Sequence, residues 1–412
     1  MLRRLAPALA LVVALVAAGC GSSDSGGSSS GGGGDNGGPA IKIGASLPLT
    51  GEFSEPGKAA QQGYKVWEAM TNDKGGLIDG RKVQFVFRDD ASNQNTVVAD
   101  YTSLISRDKV DLLAGTFSSL LNIPASTVAE RNRMLYVEPA GGAPEIFDRG
   151  YKHLFFAQQA TADKQGDVWA DWVLSLPADQ RPKTAAYPTL DDPFAVPVVD
   201  GIRKKFEAAG IKTVQKSTYP VDTNNFDSIA NAVKAANPDV VVHGATFADG
   251  VGFVRAMQKV GFTPKMFFET SAPSFGDQYI KGVGKPGTEG VFYAVSHTPE
   301  AATPGNKEFV AKYHEMFGGT EVPEDAADAF ATMQVIEAAV KGVGTVDRSK
   351  QSQLAQWLRD NKVDTILGPI SWDDTGRPQG QFLIGQWQNG KPEIVLPKEA
   401  ATSDKIVTAY GG

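Results

Sequence analysis

The residues of this sequence that could do chemistry are few, and their spacing excludes most of it. His153, His243, His297 and His314 are the only four histidines, and none stands at a metal-ligand spacing from another. Cys20 is the only cysteine, which excludes an intramolecular disulfide and any Cys-rich metal cluster. Gly282-Val283-Gly284-Lys285-Pro286-Gly287 matches GxGxxG by letter. The dinucleotide-binding form needs a strand before it and a helix after it, so that the helix N-terminus meets a pyrophosphate. Here a turn-rich segment precedes it, Pro286 interrupts it and a strand candidate follows, so it reads as a surface loop. No GxxxxGKS/T occurs, and the one GxSxG, Gly27–Gly31, lies in a Gly/Ser run with no strand signal before it and no helix signal after it, so it is no nucleophile elbow. The pairs Asp89-Asp90, Asp191-Asp192 and Asp373-Asp374 stand at loop positions, where adjacent side chains diverge, and read as solvated or capping. Nothing assembles a nucleophile, a base and an oxyanion hole, so no catalytic residue, metal or cofactor is implied.

Binding chemistry has better candidates. After the apolar run Val110–Ala114 come Gly115, Thr116, Phe117, Ser118 and Ser119, leading into a helix. Hydroxyls and free N–H groups at a helix start suit a carboxylate, although either serine could equally cap its own helix. After the next apolar run comes Glu138-Pro139-Ala140-Gly141-Gly142-Ala143-Pro144. Its two glycines either let backbone N–H groups approach a ligand or simply make a turn.

Both segments sit where strands would end in a regular strand–helix alternation. Ile41–Gly44 is a strand, and Ala60, Tyr64, Trp67 and Met70 form one stripe of the helix that follows. Val83, Phe85 and Phe87 alternate as a half-buried strand. A helix near 96–107, a strand at 110–114, a helix at 119–131 and a strand at 134–137 close the first round. A second runs from 163 to 268, and three helices and two late strands follow it. Such alternation implies an α/β fold with two doubly wound parallel-sheet lobes. The 412 residues suffice for two to three domains, with 42% hydrophobic content to build their cores. With 40 Lys and Arg against 47 Asp and Glu, the net charge is −7, and no long basic run is present for nucleic acid.

The first forty residues read as addressing. Arg3 and Arg4 precede the apolar stretch Leu5–Ala18, whose fourteen residues span about 21 Å, short of a bilayer core of roughly 30 Å. Residues 1–19 therefore read as a signal peptide ending at Cys20. Gly or Ser fills 15 of the 20 positions from 21 to 40, a flexible coil about 25 Å from end to end. Ala17-Ala18-Gly19-Cys20 resembles a bacterial lipobox, which implies lipidation at Cys20 and a tether over 20–40. An ordinary signal peptide is the alternative.

The body resembles the branched-chain amino-acid (leucine/isoleucine/valine-binding) family of ABC-importer substrate-binding proteins. The resembling stretches include Ile43–Gly51, Asn72–Gly76, Asp79–Lys82, Asp89-Asp90, Phe117–Ser119 and Pro139-Ala140. Ala235–Asp239 and Gly368–Asp373 continue the set in the same order. The resemblance implies the type I periplasmic-binding-protein fold, with two lobes and three crossovers. Lobe 1 would be 41–157 plus 296–368, and lobe 2 would be 158–295 plus 369–412. The crossovers would lie near Ala157–Thr161, Ser296–Pro299 and Leu367–Ile370.

The resemblance also implies a ligand site. Ser118, Ser119 and the backbone of Ala140 and Gly142 match the places that hold a ligand carboxylate. The family's threonine falls on Gly142, which offers no side chain. Its acidic ammonium partner falls on Glu269 or Thr270, and Glu269 is either that partner or a surface charge. Tyrosine positions fall on Phe194 and on Thr246 or Phe247, so Phe117, Phe194 and Phe247 form an aromatic wall unless they are core. Carboxylate recognition is kept and α-amino recognition weakened. The implied protein is a monomeric, lipid-anchored, extracytoplasmic receptor that passes an amino acid or another small carboxylate to an ABC permease. Aromatic acids, amides and a sensor role for a membrane signalling partner are the alternatives.

Overall fold

The computed structural model describes residues 38–319 and 321–411. The leader, Cys20 and nearly all of the Gly/Ser segment lie outside them. The first round runs β1 (Ile41–Leu47), α1 (Ser54–Asp73), β2 (Val83–Asp89), α2 (Gln94–Ser106) and β3 (Leu112–Ala114). It continues through α3 (Ser119–Arg131), β4 (Tyr136–Glu138), α4 (Pro144–Phe147) and β5 (Leu154–Phe156). These strands form one parallel sheet in the order β2-β1-β3-β4-β5. The central strands β3 and β4 are buried at every residue, as a parallel sheet covered on both faces requires. At the edge, β2 starts with the alternation of its sequence, Val83 and Phe85 in and Gln84 out.

The second round runs α5 (Asp167–Ser175), β6 (Thr184–Leu190), α6 (Ala195–Ala208), β7 (Lys212–Tyr219), α7 (Asp227–Ala236) and β8 (Val240–His243). Then come α8 (Phe247–Val260), β9 (Met266–Glu269), α9 (Gly276–Val283), α10 (Lys285–Thr288) and β10 (Val291–Val295). The chain next lays α11 (Asn306–Phe317), α12 (Glu324–Val343) and α13 (Gln351–Asp360) against the first sheet. It ends with the hairpin β11 (Val363–Thr365)–β12 (Gly368–Ile370), followed by β13 (Leu383–Gln388) and β14 (Lys391–Leu396).

The second sheet has the order β14-β13-β10-β9-β8-β6-β7. Its β13 and β14 are antiparallel, so this lobe is not purely parallel as the alternation suggested. The GxGxxG segment is also not a surface loop. Gly282 and Val283 end α9, Gly284 breaks the helix at φ +74°, and Pro286 sits in the first turn of α10.

Three passages join the sheets. Ala157 packs in the first core and Ala160 in the second. The second passage leaves β10 at Ser296. The third lies beyond the expected Leu367–Ile370, because Ile370 and Trp372 remain in the first core and the Trp372 indole donates to the Phe156 carbonyl at 2.7 Å. Phe382 is the first large residue after it to join the second core. Gln159 binds all three passages together. Its Nε2 donates to the Ser296 carbonyl at 2.9 Å and the Leu367 carbonyl at 3.2 Å, and its own carbonyl accepts from Gly380 N at 2.7 Å. No described helix is long and apolar enough to cross a membrane.

Candidate functional site

The carboxyl ends of β3, β4, β5, β6, β8 and β9 converge on one cavity between the sheets, where open α/β sheets bind ligands. Its volume is about 90 Å³, room for roughly six to nine water-sized groups. The first lobe contributes Phe53, Phe117, Ser118, Ala140, Gly142 and Phe156, and the α12 start adds Glu324, Asp325 and Asp328. Asp192, Phe194, Thr246 and Ser271 come from the other side, with Gln158 and Gln165 at the first passage.

Ser118 holds a conformation that side chains rarely adopt, φ +70° and ψ 148°. Its hydroxyl accepts from Leu121 N at 3.3 Å, capping α3, which leaves its own hydrogen available to donate. A non-glycine residue in this region costs about 1–3 kcal/mol and recurs at ligand clamps. Ser119 is fully buried, and its Oγ accepts from Ala143 N at 3.1 Å. It fastens the two loops together and does not line the cavity.

Behind the Ala140–Gly142 loop lies Glu138, fully buried with neither carboxyl oxygen hydrogen-bonded. Burial pushes its carboxyl well above the usual range. A Cβ on Gly141 would stand 1.7 Å from Glu138 Oε2, so any other residue there would force the buried Glu138 carboxyl to move. A Cβ on Gly142 would come within 3.3 Å of the Phe156 ring and of Ala162 N. Phe156 thus occupies space that a threonine at 142 would need.

Glu269 and Thr270 do not reach the cavity. Glu269 is fully buried, with Oε1 2.8 Å from His243 Nδ1 and Oε2 accepting from Tyr279 OH at 2.8 Å. A carboxylate enclosed in this way is neither a surface charge nor open to an ammonium. Thr270 Oγ1 accepts from Ala245 N at 2.8 Å. Phe247 packs against Phe275, with ring centroids 4.7 Å apart and planes tilted by 39°, outside the lining. Thr246 lines it, held by Asp249 Oδ1 through N (2.9 Å) and Oγ1 (2.6 Å). Asp249 in turn accepts from Tyr219 OH at 2.7 Å. Asp192 caps α6 through Phe194 N at 2.8 Å and Ala195 N at 3.2 Å, and its burial raises its carboxyl.

Sequence reasoning missed the acids of α12, two of which, Glu324 and Asp325, stand in its first turn, where acids commonly meet the helix dipole. Burial raises all three, and their mutual repulsion adds to this for Asp325 and Asp328. Ser296 Oγ lies 2.8 Å from Glu324 Oε1 and 2.6 Å from Asp328 Oδ1, tying α12 to the end of β10. Their spacing was the available signal, since Glu324 and Asp328 form a like-charge i,i+4 pair that an isolated helix disfavours.

The model of the periplasmic binding protein family matches residues 40–392. A Leu/Ile/Val-binding protein homologue of Brucella suis is 27% identical over 378 residues, covering 88% of this chain and 93% of its own. A leucine-binding protein of Thermotoga maritima superposes with a TM-score of 0.75 at 22% identity, covering 86% of this chain and 98% of its own. A solute-binding protein of an R. palustris ABC transporter, in complex with benzoate, gives 0.75 at 21% identity, with 90% and 99% covered. With two α/β lobes, a cavity at the strand ends between them and a family match across nearly the whole body, the chain belongs to the periplasmic binding protein family and has its type I fold.

Proposed function

We propose that this protein captures a small solute between its lobes and delivers it to an ABC importer, without chemical turnover. The carrying observation is the cavity of about 90 Å³ at the strand ends, lined from both lobes. That size suits an amino acid or an aromatic acid, the ligands named for similar proteins. Ser118 at the start of α3 would hold a carboxylate, with the phenylalanines around the apolar body of the solute. Ligand bridging the lobes would favour a closed form that the permease reads. The lipobox-like Ala17–Cys20 supports lipid anchoring outside the cytoplasmic membrane, and the protein would act as a monomer, with lobe 1 close to 41–157 plus 296–372 and lobe 2 taking the rest of the body.

The test is a thermal-shift panel of amino acids, aromatic acids, amides and amines on the full chain. A ligand at a hundred times its dissociation constant stabilises by about 2.7 kcal/mol, a shift of several degrees. A panel that shifts nothing, or a bound compound that is consumed, would sink the reading.

A further inference from the structure

Four carboxylates line the cavity, and no Lys, Arg or His is among the described residues that line it. Ser296 Oγ stands between two of them with one hydrogen to donate, so its contact with the other needs a proton on that carboxyl. A second observation is independent of the acids. Gln158 is 4% exposed and donates Nε2 to the Pro139 carbonyl at 2.9 Å, which fixes its amide. Gln158 is a lining residue, and that orientation leaves its Oε1 buried with no hydrogen-bond partner among the described residues; Gln165, also in the lining, has its Oε1 in the same condition. These lining amides keep acceptors without donors beside the carboxylates, and Phe53, Phe117, Phe156 and Phe194 also line the cavity, whose aromatic surface attracts cations too.

We propose that Asp325, Asp328 and Gln158 Oε1 receive a cationic, N–H-donating group of the solute, an ammonium, amidinium or guanidinium. The ligand is then an organic cation or a zwitterion, and its cation meets α12 rather than a residue after β9. This rests on the reading of the cleft as the solute site. Burial raises Asp325 and Asp328, and a cation beside them reverses that effect, so binding expels protons and strengthens as pH rises. A plain carboxylate would take protons up and weaken. The groups facing these acids are Ser296 and Tyr293 at the β10 end, Ser274, Gln158 and Asp192.

The experiment is calorimetry on the full chain with benzamidine, benzoate and L-leucine, repeated in buffers of different ionisation enthalpy. Benzamidine and leucine should bind with proton release, and benzoate should be the weakest. Asp325→Asn with Asp328→Asn should weaken benzamidine about tenfold or more, roughly one charge-assisted contact. Should that double variant fail to fold, Asp325→Asn alone, at a half-buried position, carries the same expectation. Benzoate binding best, or unchanged benzamidine affinity in the variant, overturns the cation site and leaves the solute-binding reading standing. Silence from all three probes overturns the proposal, and the wider panel then decides the reading.

Discussion

Ser119 Oγ accepts from the Ala143 amide at 3.1 Å, while its neighbour Ser118 lines the cavity. The adjacent hydroxyls therefore have separate places, one joining two loops and the other at the cavity wall. Ser118→Ala should weaken a carboxylate-bearing ligand about tenfold, the scale of one charge-assisted hydrogen bond. Ser119→Ala should leave affinity within a few-fold and lower stability by about 1 kcal/mol. Calorimetry and denaturant melts on both variants separate the two roles. Equal affinity losses would show that the division is wrong.

Ser118→Gly tests the backbone of the same residue. Glycine adopts φ +70° without strain, so relief of about 1–3 kcal/mol outweighs the few tenths lost when glycine replaces a serine cap. The variant should melt higher than the parent and bind more weakly. A lower melting temperature would mean that the Ser118 conformation stores no strain.

Glu269→Gln replaces a carboxylate held by His243 and Tyr279. It should lower stability by about 1–3 kcal/mol, because a buried partner is left mismatched. Ligand affinity should stay within a few-fold, whether or not the solute carries an ammonium. A selective loss of ammonium-bearing ligands from a stably folded variant would favour the ammonium-partner role, one of the two that the family resemblance left open for this residue.

Asp90 is fully buried, accepting from Thr116 Oγ1 at 3.0 Å and Ser92 N at 2.9 Å, and burial raises its carboxyl to about 6. The folded state thus binds the proton more tightly than the unfolded chain. Stability from this group falls as pH rises from about 4 to 6, and the penalty persists above that window. Asp90→Asn should remove a slope on the order of 2–3 kcal/mol. Denaturant midpoints for parent and variant should diverge most across that interval. Parallel profiles would contradict the assignment.

The strand–helix rounds were legible because apolar periodicity is local, and the cavity's place followed from where parallel strands end. The β13–β14 hairpin was legible too, but unread. Asn389-Gly390 is a strong turn signal, and both residues have positive φ, 56° and 81°. Glu269 was misplaced because a one-residue register along β9 says nothing about His243 and Tyr279 closing around it. The acids of α12 join Asp192 in the cavity only through tertiary packing, from elements more than a hundred residues away in the chain.

Gln159 gives the passages between the lobes a shared mechanical fate. Because one residue grips Ser296, Leu367 and Gly380 together, the three segments cannot bend independently while those contacts hold. The joint acts as a laminated spring rather than three loose cords. Were the lobes to close on a solute as proposed, a joint tied in this way would resist twisting and keep the two jaws in register.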